Sequence, residues 1–134
     1  MTEKERCCDV DTEKQVEIAE SFKAVREKIK NASGGREVTL LAATKTVSAE
    51  TINFAIRELG LRHIGENRVQ ELLEKYPYIE KSGVEIPLIG GLQTNKVRQI
   101  IDTVDLIQSL DSISLAEEIK RMLIASLNIA KENK

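Results

Sequence analysis

Tryptophan is absent from this 134-residue chain, and phenylalanine and tyrosine number two each. Its core must therefore be aliphatic, and too few aromatic faces remain for a surface on which nucleic-acid bases stack. There is one histidine, His63, and two cysteines, adjacent at Cys7 and Cys8. Neighbouring cysteines rarely bridge each other, and with one histidine they make no zinc set. They read as incidental thiols, and no metal is expected. Neither sign of charge is in excess: 20 Lys and Arg against 22 Asp and Glu leave a formal net charge of -2. That balance makes no electrostatic case for nucleic acid or for an anionic membrane surface. No apolar run reaches the ~18 residues that span a bilayer. The opening Met1-Thr2-Glu3-Lys4-Glu5-Arg6 is polar and lacks the apolar centre of a signal peptide. Cytoplasm is the expected location, with the mitochondrion as the alternative.

What is present is one domain's worth of alternating apolar patterns. Residues 1–10 read as a disordered leader and 11–134 as the folded part. From Thr12 to Lys30 the spacing of Ile18, Phe22, Val25 and Ile29 predicts an amphipathic helix, with Thr12 and Gln15 as a capping box and Asn31 to Gly35 as its stop. Four strand–helix units follow. Strand Val38–Thr44 leads to a helix over Ala49–Leu59, with Ser48 as N-cap and Gly60 as stop. Strand Arg62–Ile64 leads to a helix carrying Val69, Leu72, Leu73 and Tyr76, capped by Asn67 and Gln70. Strand Ile86–Gly90 precedes a helix with Val97, Ile100 and Ile101. Strand Val104–Ser109 precedes a helix over Ser114–Lys131, with Ser114 and Glu117 as its capping box and Leu115, Ile119, Met122 and Ile129 facing inward. Strand starts lie roughly 20 to 24 residues apart, which suits βα units and a parallel sheet.

In a parallel sheet every strand points the same way. Lys45, Glu66–Asn67, Gln93–Asn95 and Ser109–Asp111 therefore collect at one edge, where α/β proteins place their chemistry. A lysine closing a buried strand can lose hydration and become a nucleophilic amine that forms an imine with an aldehyde or ketone. The same position also suits a solvated terminal lysine, and position alone leaves both open. Asn67 reads either as a helix cap or as a ligand contact. His63 reads as a core histidine, and Ser109 and Asp111 as caps. Gln93, Asn95 and Lys96 suit an anion or a plain surface equally. The phosphate loop Gly-x-x-x-x-Gly-Lys-Ser/Thr is absent.

Three stretches in combination carry a resemblance: Leu-Leu-Ala-Ala-Thr-Lys-Thr at 40–46, Gly-Glu-Asn-Arg-Val-Gln-Glu at 65–71 and Ile-Gly-Gly-Leu-Gln-Thr-Asn-Lys at 89–96. In order and spacing the chain resembles the pyridoxal-phosphate homeostasis proteins, which are related to the N-terminal barrel of alanine racemase. The likeness runs from about residue 12 to 131. It implies a (β/α)8-type, TIM-like barrel that holds pyridoxal phosphate as a Schiff base on Lys45, with Asn67 near the cofactor. It also implies a non-catalytic role, buffering the cofactor or delivering it to apo-enzymes. Two places depart from the family pattern: Val47 stands where a second lysine is common, and Pro87 and Gly91 stand where histidines are. A full barrel needs about 200 residues or more. The expectation is thus α/β, a partial TIM-like barrel: one helix and four βα units, the N-terminal half of the barrel, with truncation weakening the cofactor's hold. The alternatives are a Schiff-base enzyme on the same barrel (an amino-acid racemase or an aldolase-like lyase), a fragment or isoform that self-associates or docks a partner through open sheet edges, or a chain without a stable fold.

Overall fold

The computed structural model describes residues 10–132. The Cys7–Cys8 pair and all but Val10 of the expected leader lie outside the described residues. Helix α1 spans Thr12–Ser33 and stops on Gly34, which takes the left-handed conformation (φ 60°) that glycine adopts without strain. Its expected capping box does not form. Asp11 holds the N-cap position, and Gln15 donates to the Val10 carbonyl at 2.8 Å instead. No residue of α1 is buried; it rests on the rest of the fold through Phe22, with the Arg26 guanidinium 4.6 Å above that ring.

Strand β1 (Ala42–Ala43) pairs in parallel with β2 (Ile64–Gly65), and β3 (Pro87–Leu88) pairs in parallel with β4 (Leu106–Ile107). Parallel bridges at His63–Glu85 and Glu66–Leu88 link β2 to β3. The strands therefore follow one another in chain order, all pointing the same way. Helices α2 (Ala49–Leu59), α3 (Val69–Lys75), α4 (Val97–Ile100) and α5 (Ile113–Glu132) follow the four strands in turn, with short 3-10 turns at Tyr76–Tyr78 and Thr94–Lys96. The strands are shorter than the apolar runs suggested. For β1 the reason is the partner: Ala42 and Thr44 donate to the His63 and Gly65 carbonyls, both at 3.0 Å, and nothing pairs with Val38 beyond them. Pro87 opens β3, a strand position that tolerates a missing N–H, and its carbonyl still accepts from Glu66 at 3.2 Å.

Side chains alternate across the sheet. One face carries Ile64, Glu66, Ile86 and Leu88, all buried under the helices. Two apolar clusters lie there. In the first, Ile52, Ala55 and Ile56 of α2 meet Leu61, Ile64 and Ile79. In the second, Val69 and Leu72 of α3 meet Leu88, Leu92, Val97, Ile100 and Leu115. The other face carries Ala43, Leu106 and Gln108, all exposed, beside the buried Gly65 and Pro87, with the Leu41 and Ile89 side chains over Gly65; no described helix covers it. Ser48 caps α2 as expected, accepting from Thr51 N at 3.3 Å, and Gly60 ends that helix in the left-handed region. The cap of α5 is Ser112, which accepts from Leu115 N at 3.2 Å; the Ser114–Glu117 box lies inside the helix. Its inward residues hold as far as Met122, but Ile129 is 59% exposed, because α5 runs past the edge of the core.

Leu72 is fully buried where α3 meets β3 and α5. Leu72→Ala is expected to destabilise the chain by about 2–5 kcal/mol, read as a lower urea midpoint with an unchanged slope.

Candidate functional site

The strand β1 ends in a tight turn. Val47 N donates back to the Thr44 carbonyl at 3.0 Å, so Lys45 and Thr46 are the two central residues. Thr46 has φ 63°, and among the described residues it is the one non-glycine with positive φ. A negative φ at the first central residue and a positive one at the second is the pattern of a type II turn, which normally puts glycine at the second. A β-branched residue there is strained. Lys45 itself is exposed. The loss of hydration expected of a lysine closing a buried strand is therefore not found. Among the described residues no hydrogen bond or ion pair holds its ammonium group.

Behind the turn, on the helix-covered face, lies a cluster that local sequence patterns did not reveal. Glu66 is wholly buried. Its Oε1 accepts from Thr44 Oγ1 at 2.5 Å and from Lys75 Nζ at 3.1 Å, while its Oε2 has no partner. Lys75 also donates to Glu71 Oε1 at 2.6 Å and to the Thr44 carbonyl at 2.7 Å. Glu71 accepts in addition from the Thr46 N–H. The hydrogen bond from Lys75, and after it the one from Thr46, hold the Glu71 carboxyl below its ordinary value of 4.5, against a smaller opposing effect of burial.

Asn67 occupies the position on β2's trailing segment that matches Lys45 on β1, each two residues beyond the Ala43–Gly65 pair. Both stand just past their strands, at the carboxyl edge of the sheet. The expected Asn67–Gln70 capping box is absent. Helix α3 starts one residue later, with Arg68 at the N-cap position, and Gln70 donates to Glu74 at 3.0 Å. The Asn67 side-chain oxygen is buried and has no partner, as is Ser109 Oγ beyond β4. Gly90 makes the close approach of β2 and β3 possible here: a Cβ on it would stand 2.0 Å from the Asn67 carbonyl oxygen. Of the other sequence candidates, Gln93 and Asn95 are exposed in and before the 3-10 turn. Asp111 caps nothing, since Ser112 does. His63 sits in the outer part of the sheet, half-buried and 3.6 Å from Glu85, rather than in the core.

The donor set at this edge fits an aldehyde cofactor with polar substituents. It offers a primary amine and two buried polar atoms, none of which has a partner among the described residues. No group of three or more His, Cys, Asp or Glu suited to a metal exists among the described residues. The fold and the site define an α/β protein of serial parallel βα units that presents a lysine amine at the carboxyl edge of its sheet.

Comparison with known proteins finds relatives of one description. The pyridoxal phosphate homeostasis protein of Aquifex aeolicus is 48% identical over 82 residues, which cover 61% of this chain and 36% of that protein. The protein of the same description from Escherichia coli K12 is 34% identical over 134 residues, covering 87% of this chain and 57% of that one. Among solved structures, PipY of Synechococcus elongatus with pyridoxal phosphate bound matches with a TM-score of 0.65 and 36% identity, over 78% of this chain and 47% of PipY. A protein of unknown function from Bifidobacterium adolescentis matches with a TM-score of 0.77 and 36% identity, over 88% of this chain and 54% of its own. No family model matches. Over the part it spans, the chain is similar to the pyridoxal phosphate homeostasis proteins, and it spans about half the length of its structural relatives.

Two outcomes follow from this geometry. Gly90→Ala drives a Cβ into backbone that cannot swing aside, so a loss of about 1–3 kcal/mol is expected in a urea titration. A group whose folded pKa is depressed adds stability that is complete above its unfolded value and is lost as pH falls through the folded one. Between about pH 6 and about pH 3 the chain should therefore lose more stability than Glu71→Gln does. Equal losses in the two proteins would show that Glu71 is not held as described.

Proposed function

We propose that this chain binds pyridoxal phosphate through Lys45, in a non-catalytic role in cofactor homeostasis. The observation that carries the reading is an exposed lysine at the carboxyl end of β1, engaged by no hydrogen bond or ion pair among the described residues and at the register position that matches Asn67 after β2. The family supports it, as does the cofactor in PipY. When bound, the cofactor supplies an aldehyde that condenses with a lysine amine, losing water to give a Schiff base; the protein supplies position and charge. Lys45 is the amine. Asn67 and Ser109 are polar groups able to orient the ligand, and Gly90 lets the Asn67 backbone pack close behind them. The chain-order parallel strands, with helices on one face only, suit part of a (β/α)8-type barrel whose inner face is the uncovered one. We read residues 11–134 as that part.

Loops beyond a fourth βα unit hold phosphate in barrels of this type, and these 134 residues contain four such units. A polypeptide of these 134 residues alone is therefore expected to hold pyridoxal phosphate with millimolar rather than micromolar affinity. Titration should give imine absorbance at about 420 nm, and borohydride reduction followed by peptide mapping should find Lys45 labelled ahead of the other lysines. Lys45→Arg should remove that site alone. Even labelling across the lysines at low occupancy overturns the assignment of Lys45. Saturation at micromolar cofactor overturns the low affinity.

A further inference from the structure

We propose that Glu71 and Lys75, on α3, are positioning residues for Lys45. The inference rests on reading Lys45 as the cofactor's anchor and adds what fixes it in place. The backbone on both sides of Lys45 is gripped from behind the sheet. On the leading side, the Thr44 carbonyl accepts from Val47 N at 3.0 Å and from Lys75 Nζ at 2.7 Å, and Thr44 Oγ1 donates to Glu66. On the trailing side, the Thr46 N–H donates to Glu71. Lys75 and Glu71 are themselves joined at 2.6 Å, one turn apart on the same helix, so the grip is a single unit. The Lys45 side chain between these two points is exposed, and nothing among the described residues engages it. A reactive amine needs this combination: a fixed origin and a free end.

The grip also explains how threonine is tolerated at a positive φ. The turn conformation that Thr46 would not choose is imposed by an acceptor placed to meet its N–H. Charge-assisted hydrogen bonds are the strong ones, and Glu71 is ionised with Lys75 beside it. Three carboxylate and carbonyl groups converge on one ammonium, and the Lys75 side chain is only 12% exposed. Burial of this kind keeps the pair from being diluted by water.

The experiment uses the full chain and two readouts. The first needs no cofactor: hydrogen exchange of the Thr46 and Val47 amides by NMR. Glu71→Gln should raise Thr46 exchange roughly tenfold to a hundredfold, the loss expected for one bond to a charged acceptor. Amides in the α5 half of the core should be unchanged. The second is the share of borohydride-trapped pyridoxal phosphate found on Lys45, which should fall in Glu71→Gln and in Lys75→Met. Adding Thr46→Gly to Glu71→Gln should restore much of that share, because glycine takes the turn without help. Unchanged Thr46 exchange, or an unchanged Lys45 share in folded Glu71→Gln, overturns the proposal. If Lys75→Met does not fold, Glu71→Gln decides alone, since its carboxylate is partly exposed and keeps its shape. Uniform labelling in the unaltered chain defeats the anchor reading, whereas the exchange readout still reports on the grip.

Discussion

The ammonium of Lys75 is the point where β1, β2 and α3 are tied together. It reaches the last carbonyl of β1's ladder, the buried carboxylate that follows β2, and a carboxylate on its own helix. A wholly buried glutamate is costly to desolvate, and attraction in a dry interior offsets that cost only when geometry and further hydrogen bonds cooperate. Here Glu66 has Lys75 and Thr44 on one oxygen and nothing on the other. The arrangement is therefore weak as a source of net stability and strong as a constraint. Removing either charge leaves the other stranded, so the cluster fixes how α3 docks against the sheet, and with it the start of the second apolar core at Val69 and Leu72.

Much of the architecture could be read from periodicity. Four apolar runs alternating with 3.6-residue patterns gave the parallel order, and α2 was legible to the residue because its two ends carry local chemistry, Ser48 and Gly60. Other ends were not. Ser114 offers the same cap chemistry as Ser112, and only the path of the chain from Ile107 into α5 decides between them. Strand lengths were overstated because an apolar run says where a strand is compatible, whereas the ladder forms only where a partner's N–H and C=O arrive. The first helix shows the same limit. Its apolar stripe is real, yet among the described residues only part of it, around Phe22, finds something to cover.

The site was half legible. Lys45 and Asn67 could be placed at one edge from topology alone, and matched register puts them there. Glu66 was grouped with Asn67 because they are adjacent, but adjacency in a strand means opposite faces. Glu66 goes beneath the helices, and Asn67 falls in the bend that follows at the sheet's edge. Glu71 lies in the first turn of α3, where any acid is favourable to the helix dipole, so its type and place there do not single it out. Its decisive partner, Thr46, is 25 residues away, and no local pattern reports such a contact. The one signal that was available is Thr46 itself: a turn that ends a strand without glycine or asparagine needs an outside reason for its shape.

That reason bears on why threonine stands there at all. Left-handed backbone costs a β-branched residue about 1–2 kcal/mol, and glycine would remove the cost. Glycine would also give the turn many more unfolded and misdirected conformations, and a lysine mounted on it would sweep a wide volume. A hydrogen bond to an ionised acceptor contributes about 1.5–3 kcal/mol, enough to offset the strain. Threonine with Glu71 therefore reaches the same turn as glycine with fewer alternatives. The strain is local and the compensation comes from another element, which is how a mobile amine is kept on a fixed mount. The mount depends on α3 being docked, so the carboxyl edge of β1 acquires its final shape only when the buried Glu66–Lys75 pair has closed.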